Sequence, residues 1–185
     1  MSTLVIPRPA PVEAAPFFHG YIAEVAGENI GDQLEQQLAE VENLFRSIDE
    51  PVGLFRYAPG KWSVKEILGH LADTERIFAY RLLRISRGDA TPLPSFDENA
   101  YMPAGDFDDR SLSGLVHEFR AVRAATIALV EGLPGTAWTR AGVASGNGIS
   151  TRALAYILVG HVTHHLRVLR ERYGLHTGTE ATATA

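Results

Sequence analysis

Four long runs of apolar residues spaced three and four apart leave this chain few folds to choose from. The first joins Ile30, Leu34, Leu38, Val41, Leu44/Phe45 and Ile48. The second joins Ile67, His70/Leu71, Thr74, Ile77/Phe78, Arg81 and Ile85. The third joins Leu112, Leu115/Val116, Phe119, Val122, Thr126 and Leu129. The fourth joins Leu154, Ile157/Leu158, His161, His164/His165, Val168 and Arg172. Such spacing lines one face of an α-helix. The predicted helices run from Asn29 to Ile48, Ser63 to Ser86, Ser111 to Gly132 and Ser150 to Tyr173. Ser63 with Glu66 forms a capping box, and Gly88, Pro92, Pro134 and Gly174 supply stops. No convincing strand is seen, so the fold class is all-α, a four-helix bundle. The connection over residues 88–109 is long enough to run the length of a bundle. Helices two and three can then lie parallel, which gives an up-down-down-up topology.

At 185 residues the chain suits one domain with a real core. Residues 1–20 read as a Pro-rich, extended arm, since Pro7, Pro9, Pro11 and Pro16 deny a helix its donors. Phe17, Phe18 and Tyr21 can tack it to the body. Residues 21–175 make the bundle, and the Thr/Ala-rich residues 176–185 a disordered tail. Residues 134–149 read as a Gly-rich loop, and Phe96 and Tyr101 pack the longer connection onto the bundle. The formal charge of -5, with no basic block, argues against a nucleic-acid partner. With no cysteine, any transition metal must be held by imidazole and carboxylate. No apolar run spans a bilayer, and the first residues lack a secretory signal's pattern, so the expected location is the cytoplasm.

The chemistry gathers at Gly160-His161-Val162-Thr163-His164-His165, three imidazoles within five positions. His161 and His165 stand one above the other on a helix, and His70 lies in the apolar stripe of helix two. Three unpartnered imidazoles in a core are costly, and a divalent metal would resolve the cost. His164 has two readings, a ligand in place of His165 or a rim residue, and the rim is preferred. Asp97 and Glu98 in the long connection are candidates for an acid or for an acceptor behind a ligating imidazole. Asp73 and Glu75 read as surface groups or partners of Arg76, and Trp62 as packing at the bundle end. His117, His19 and His176 read as solvent-facing.

The tract Lys61-Trp62-Ser63-Val64-Lys65-Glu66, then Gly69-His70-Leu71-Ala72-Asp73-Thr74-Glu75-Arg76, and later Gly160-His161 with His164-His165, resembles the DinB-like superfamily. That superfamily includes the bacillithiol and mycothiol S-transferases. The tracts from Phe55 to Trp62 and from Arg87 to Pro94 resemble a subgroup labelled damage-inducible DinB proteins. The resemblance implies a four-helix bundle with a divalent metal on His70, His161 and His165. The implied metal is zinc or nickel, or else manganese or iron. It further implies a homodimer and a low-molecular-weight thiol as cofactor. The leading expectation is a small-thiol S-transferase that activates the thiol for attack on an electrophilic small molecule. A metal-dependent hydrolase and a non-enzymatic stress-response metal-binding module are the alternatives.

Overall fold

A computed structural model describes residues 5–176. The tail from residue 177 onward, read above as disordered, lies outside the described residues. In chain order the elements are α1 (His19–Glu24), α2 (Ile30–Arg46), α3 (Glu50–Gly53), α4 (Val64–Ser86), α5 (Glu98–Gly105) and α6 (Leu112–Glu131), then the strands β1 (Ala141–Ala144) and β2 (Asn147–Ser150), and α7 (Thr151–Tyr173).

The four long helices α2, α4, α6 and α7 begin where side chains can cap them. Asn29, Ser63, Ser111 and Ser150 each accept a hydrogen bond from a first-turn backbone N–H. Glu66 returns the bond to Ser63, completing the capping box. Gly174, at φ 68°, ends α7 in the left-handed conformation that glycine adopts without strain.

Around the bundle the order is α2–α6–α4–α7. Lys65 at the start of α4 lies by Asp108, just before α6, and Glu75 pairs with Arg123 further along, so α4 and α6 run parallel. Tyr173 at the end of α7 donates to the Trp62 carbonyl ahead of α4, so these two are antiparallel. Gln37 of α2 meets Val159, and Glu40 meets Arg170, so α2 and α7 point the same way. The topology is up-down-down-up.

Two apolar clusters fill the bundle. One is built on Leu34, Leu82, Ile85 and Ile157, and the other on Leu44, Leu68, Leu71, Phe119 and Leu166. A polar layer separates them. Buried Arg123 donates to Glu75 Oε2 at 2.9 Å and to Gln37 Oε1 at 3.0 Å. Gln37 Nε2 donates to the Val159 carbonyl and to Thr163 Oγ1, both at 2.8 Å. Glu75 is therefore a core residue on Arg123, not a surface partner of Arg76. Asp73 does face Arg76, at 3.3 Å, and Arg76 also pairs with Glu118 of α6 at 2.7 Å.

The flanking segments differ from the sequence reading in two places. Proline at a first helical position has no useful donor to lose. Pro11 and Pro16 accordingly start 3₁₀ turns, and the arm coils back onto the bundle through Ile6, Phe18 and Ile22. His19 bonds the Pro11 and Ala14 carbonyls within the arm, whereas His117 and His176 are exposed. The Gly-rich stretch, in turn, holds an antiparallel hairpin with Ala144 opposite Asn147. Its two-residue turn, Ser145 (φ 52°) and Gly146 (φ 75°), has the positive φ angles that match strand twist. The hairpin receives the long connection: Leu93 donates to the Val143 carbonyl and accepts from Ser145 N–H. That connection is further ordered by α5.

Candidate metal centre

Both helices that carry the key histidines have a glycine immediately before them, and each glycine admits a close neighbour. A Cβ at Gly160 would fall 2.0 Å from the Tyr21 carbonyl oxygen. α1 therefore crosses α7 backbone to backbone, setting the Tyr21 ring edge-on to His161 and His164 at 5.5 and 5.4 Å. A Cβ at Gly69 would fall 2.3 Å from the Phe107 ring, which packs against α4 beside His70.

His70, His161 and His165 come together across the α4–α7 interface. One ring nitrogen from each lies within 4.8 Å of the others. His70 Nε2 and His161 Nε2 are 3.0 Å apart, and Thr74 Oγ1 stands 3.3 Å from His70 Nδ1. Burial, with His164 nearby, pushes the His70 pKa down to about 4. Burial, and then the neighbouring imidazoles, holds His161 and His165 well below the usual histidine range. All three rings are thus neutral near pH 7, and each offers a lone pair. His165 is half-buried as a residue, and its Nδ1 is shut off from solvent with no hydrogen-bond partner among the described residues. A neutral, converging and incompletely satisfied imidazole set fits a divalent cation with nitrogen preference, and three ligands leave a position open. His164 turns away: it approaches Arg167 at 3.3 Å and Glu24 at 3.7 Å.

The three histidines wall a cavity of about 380 Å³. Trp62, 4.8 Å from the His70 ring, lines it instead of merely closing the bundle end. Phe17, Phe18 and Tyr21 bring the N-terminal arm into the wall, and Phe78, edge-on to Phe18 at 5.8 Å, and Phe96 line it as well. Glu98 lines the cavity, whereas Asp97 does not. The Asp97 carboxylate is exposed and caps α5 through the backbone N–H groups of Asn99 and Ala100. Tyr21, Thr74 and Arg81 are site residues that pattern reading did not single out. For Thr74 and Arg81 the signal was there, as polar side chains in the apolar stripe of α4.

The chain belongs to the DinB superfamily, whose sequence profile it matches over residues 33–169. Among solved structures it is similar to YfiT from Bacillus subtilis, a probable metal-dependent hydrolase with an unusual four-helix bundle topology. The TM-score is 0.69 at 18% identity, covering 92% of this chain and 95% of that one. It is also similar to the mycothiol-dependent maleylpyruvate isomerase, with a TM-score of 0.65 at 11% identity, covering 83% of this chain and 63% of that one. Comparison with curated proteins gives no match. Among the described residues no helix is long and apolar enough to cross a membrane.

Proposed function

We propose that this chain is a divalent-metal-dependent enzyme for small organic molecules, acting as a thiol S-transferase with His70, His161 and His165 as metal ligands. The observation that carries this reading is the convergence of three neutral imidazoles on one wall of an aromatic-lined cavity. Zinc or nickel suits the all-nitrogen set better than manganese or iron. Such an ion supplies Lewis acidity, lowering the pKa of a thiol or water placed beside it. Thr74 fixes the His70 ring through its second nitrogen, which orients the donor. Trp62, Phe78 and Tyr21 exclude bulk water, and Glu98 is placed to take a proton released in the cavity. With no cysteine in the chain, the thiol has to come from a low-molecular-weight cofactor. The mycothiol in the name of one structural neighbour agrees with that requirement.

A homodimer in the cytoplasm, built from one bundle domain over residues 21–175, completes the proposal. The test is to incubate metal-loaded protein with bacillithiol, mycothiol or glutathione and chlorodinitrobenzene. Metal-dependent conjugate formation with at least one thiol is expected, and none with any of the three contradicts the reading. Glu98 favours one rival, a metal-dependent hydrolase with water as nucleophile. In that case nitrophenyl esters are cleaved without thiol, and Glu98→Gln abolishes cleavage.

A further inference from the structure

The wall of the cavity away from the histidines holds an unusual group. Arg81 is 3% exposed, yet among the described residues no carboxylate lies within 4.0 Å of it. Other arginines in the bundle are treated differently: Arg123, more deeply buried, has Glu75. Arg81 has only neutral acceptors, and both are reached through one nitrogen. Its Nη2 donates to the Pro94 carbonyl at 2.7 Å and to Ser145 Oγ at 2.9 Å. This leaves Nε–H and both Nη1 hydrogens without a partner among the described residues. The guanidinium carbon stands 5.9 Å from the Phe78 ring centre and 5.5 Å from that of Phe96, two rings that also line the cavity. Burial lowers the Arg81 pKa, with no counter-charge to offset it.

A buried cation without a counter-charge is costly, and its spare donors make it a receptor for a negative group. We infer that the cavity takes a small organic anion, its charged group held by Arg81 and its body laid along Phe78 toward His161. Phe78 joins the two ends, since its ring centre is also 6.0 Å from that of His161. The size of the cavity, about 380 Å³, limits the molecule to a compact one, and its aromatic lining favours an apolar or aromatic body. The inference rests on this cavity being the substrate site of the proposed enzyme. Under that reading the electrophile carries an anionic group at the end remote from its reactive carbon. The tie to Pro94 and Ser145 holds the long connection and the hairpin tip in place, and it occupies only Nη2.

The test is calorimetric titration of the full chain, both metal-loaded and chelator-treated, with benzoate, phenylphosphonate and neutral benzamide. One or both anions should bind the metal-free protein more tightly than benzamide by roughly ten- to a hundredfold, the scale of a charge-assisted hydrogen bond. Arg81→Met should erase that preference, and His161→Ala should keep it. The two anions tell a carboxylate from a phosphoryl ligand. Where Arg81→Met fails to fold, the Nε–Hε NMR signal of Arg81 in the unaltered protein, assigned through Arg81→Lys, should shift with an anion and not with benzamide. Equal binding of anion and amide overturns the inference. So does anion binding that survives Arg81→Met, or that vanishes on chelation because the ion alone held it. Metal content is measured separately, so a chain that binds no metal yet shows Arg81-dependent anion binding contradicts the enzyme reading and leaves this one standing.

Discussion

His70 shows what a single buried side chain in this site has to reconcile. It sits in an apolar stripe with its two nitrogens committed in opposite directions, one to Thr74 and one to His161. Its pKa is about 4 in the folded metal-free chain, against 6.5 for an unperturbed imidazole. Between those values the unfolded chain binds more protons than the folded one. The stability that His70 contributes is therefore complete above pH 6.5 and is lost as the pH falls toward 4. Urea midpoints of chelator-treated protein should decline across that window, and His70→Asn should make the decline shallower. A flat profile would contradict it. At this scale the sequence was most informative about the His161/His165 pair, because i,i+4 spacing on a helix fixes direction regardless of tertiary detail. It was least informative about Glu75 and Arg81. Whether a polar group in a stripe finds a partner depends on a facing helix or loop, and periodicity carries no record of that.

Elements position the site through close approach. Gly160 lets α1 lie directly on α7, and Tyr21 reaches the histidines only because of it. Gly160→Ala should force the two backbones apart and cost about 1–3 kcal/mol, the usual scale of overpacking. Urea denaturation gives the cost, and faster proteolysis within residues 5–29 shows the displacement. Wild-type stability with an unchanged cleavage pattern would contradict the crossing. The arm has a second clamp at Glu13, bonded by Arg152 and Ser150. The Arg152 guanidinium holds the Glu13 pKa down to about 2, so this clamp holds at neutral pH and loosens only as the pH falls from 4.5 toward 2. Glu13→Gln should make the arm protease-sensitive at neutral pH, whereas resistance equal to wild type would show that the clamp is idle. The long helices were legible to their caps, since serine and asparagine caps satisfy donors locally. The hairpin was not, because strands of four residues are too short for alternation to register, and Ser145-Gly146 is a weak turn signal on its own.

The whole molecule is held in register by a polar layer between two apolar clusters. Arg123 and Glu75 are fully buried together, and Gln37 carries the layer to α7 within a turn of His161. Removing one charge leaves the other stranded. Arg123→Met alone should cost about 3–5 kcal/mol, with much of that recovered in the Arg123→Met, Glu75→Leu double variant. Chemical denaturation of both variants checks this, and additive losses would mean that the pair is not coupled. The topology could be foreseen from the length of the 88–109 connection. The ring order α2–α6–α4–α7 could not, since all four stripes are apolar and nothing in their composition assigns neighbours. The shape of the cavity was equally hidden, because its walls come from the arm, the long connection and the hairpin as well as from the bundle.

The central claim is that His70, His161 and His165 form one metal site that excludes His164. Elemental analysis of tag-free protein, paired with the four single alanine variants, tests it most directly. One divalent ion per chain is expected in the wild type and in His164→Ala, and near-complete loss in His70→Ala, His161→Ala and His165→Ala. A wild-type chain without metal, or loss in His164→Ala with retention in His165→Ala, would contradict the account.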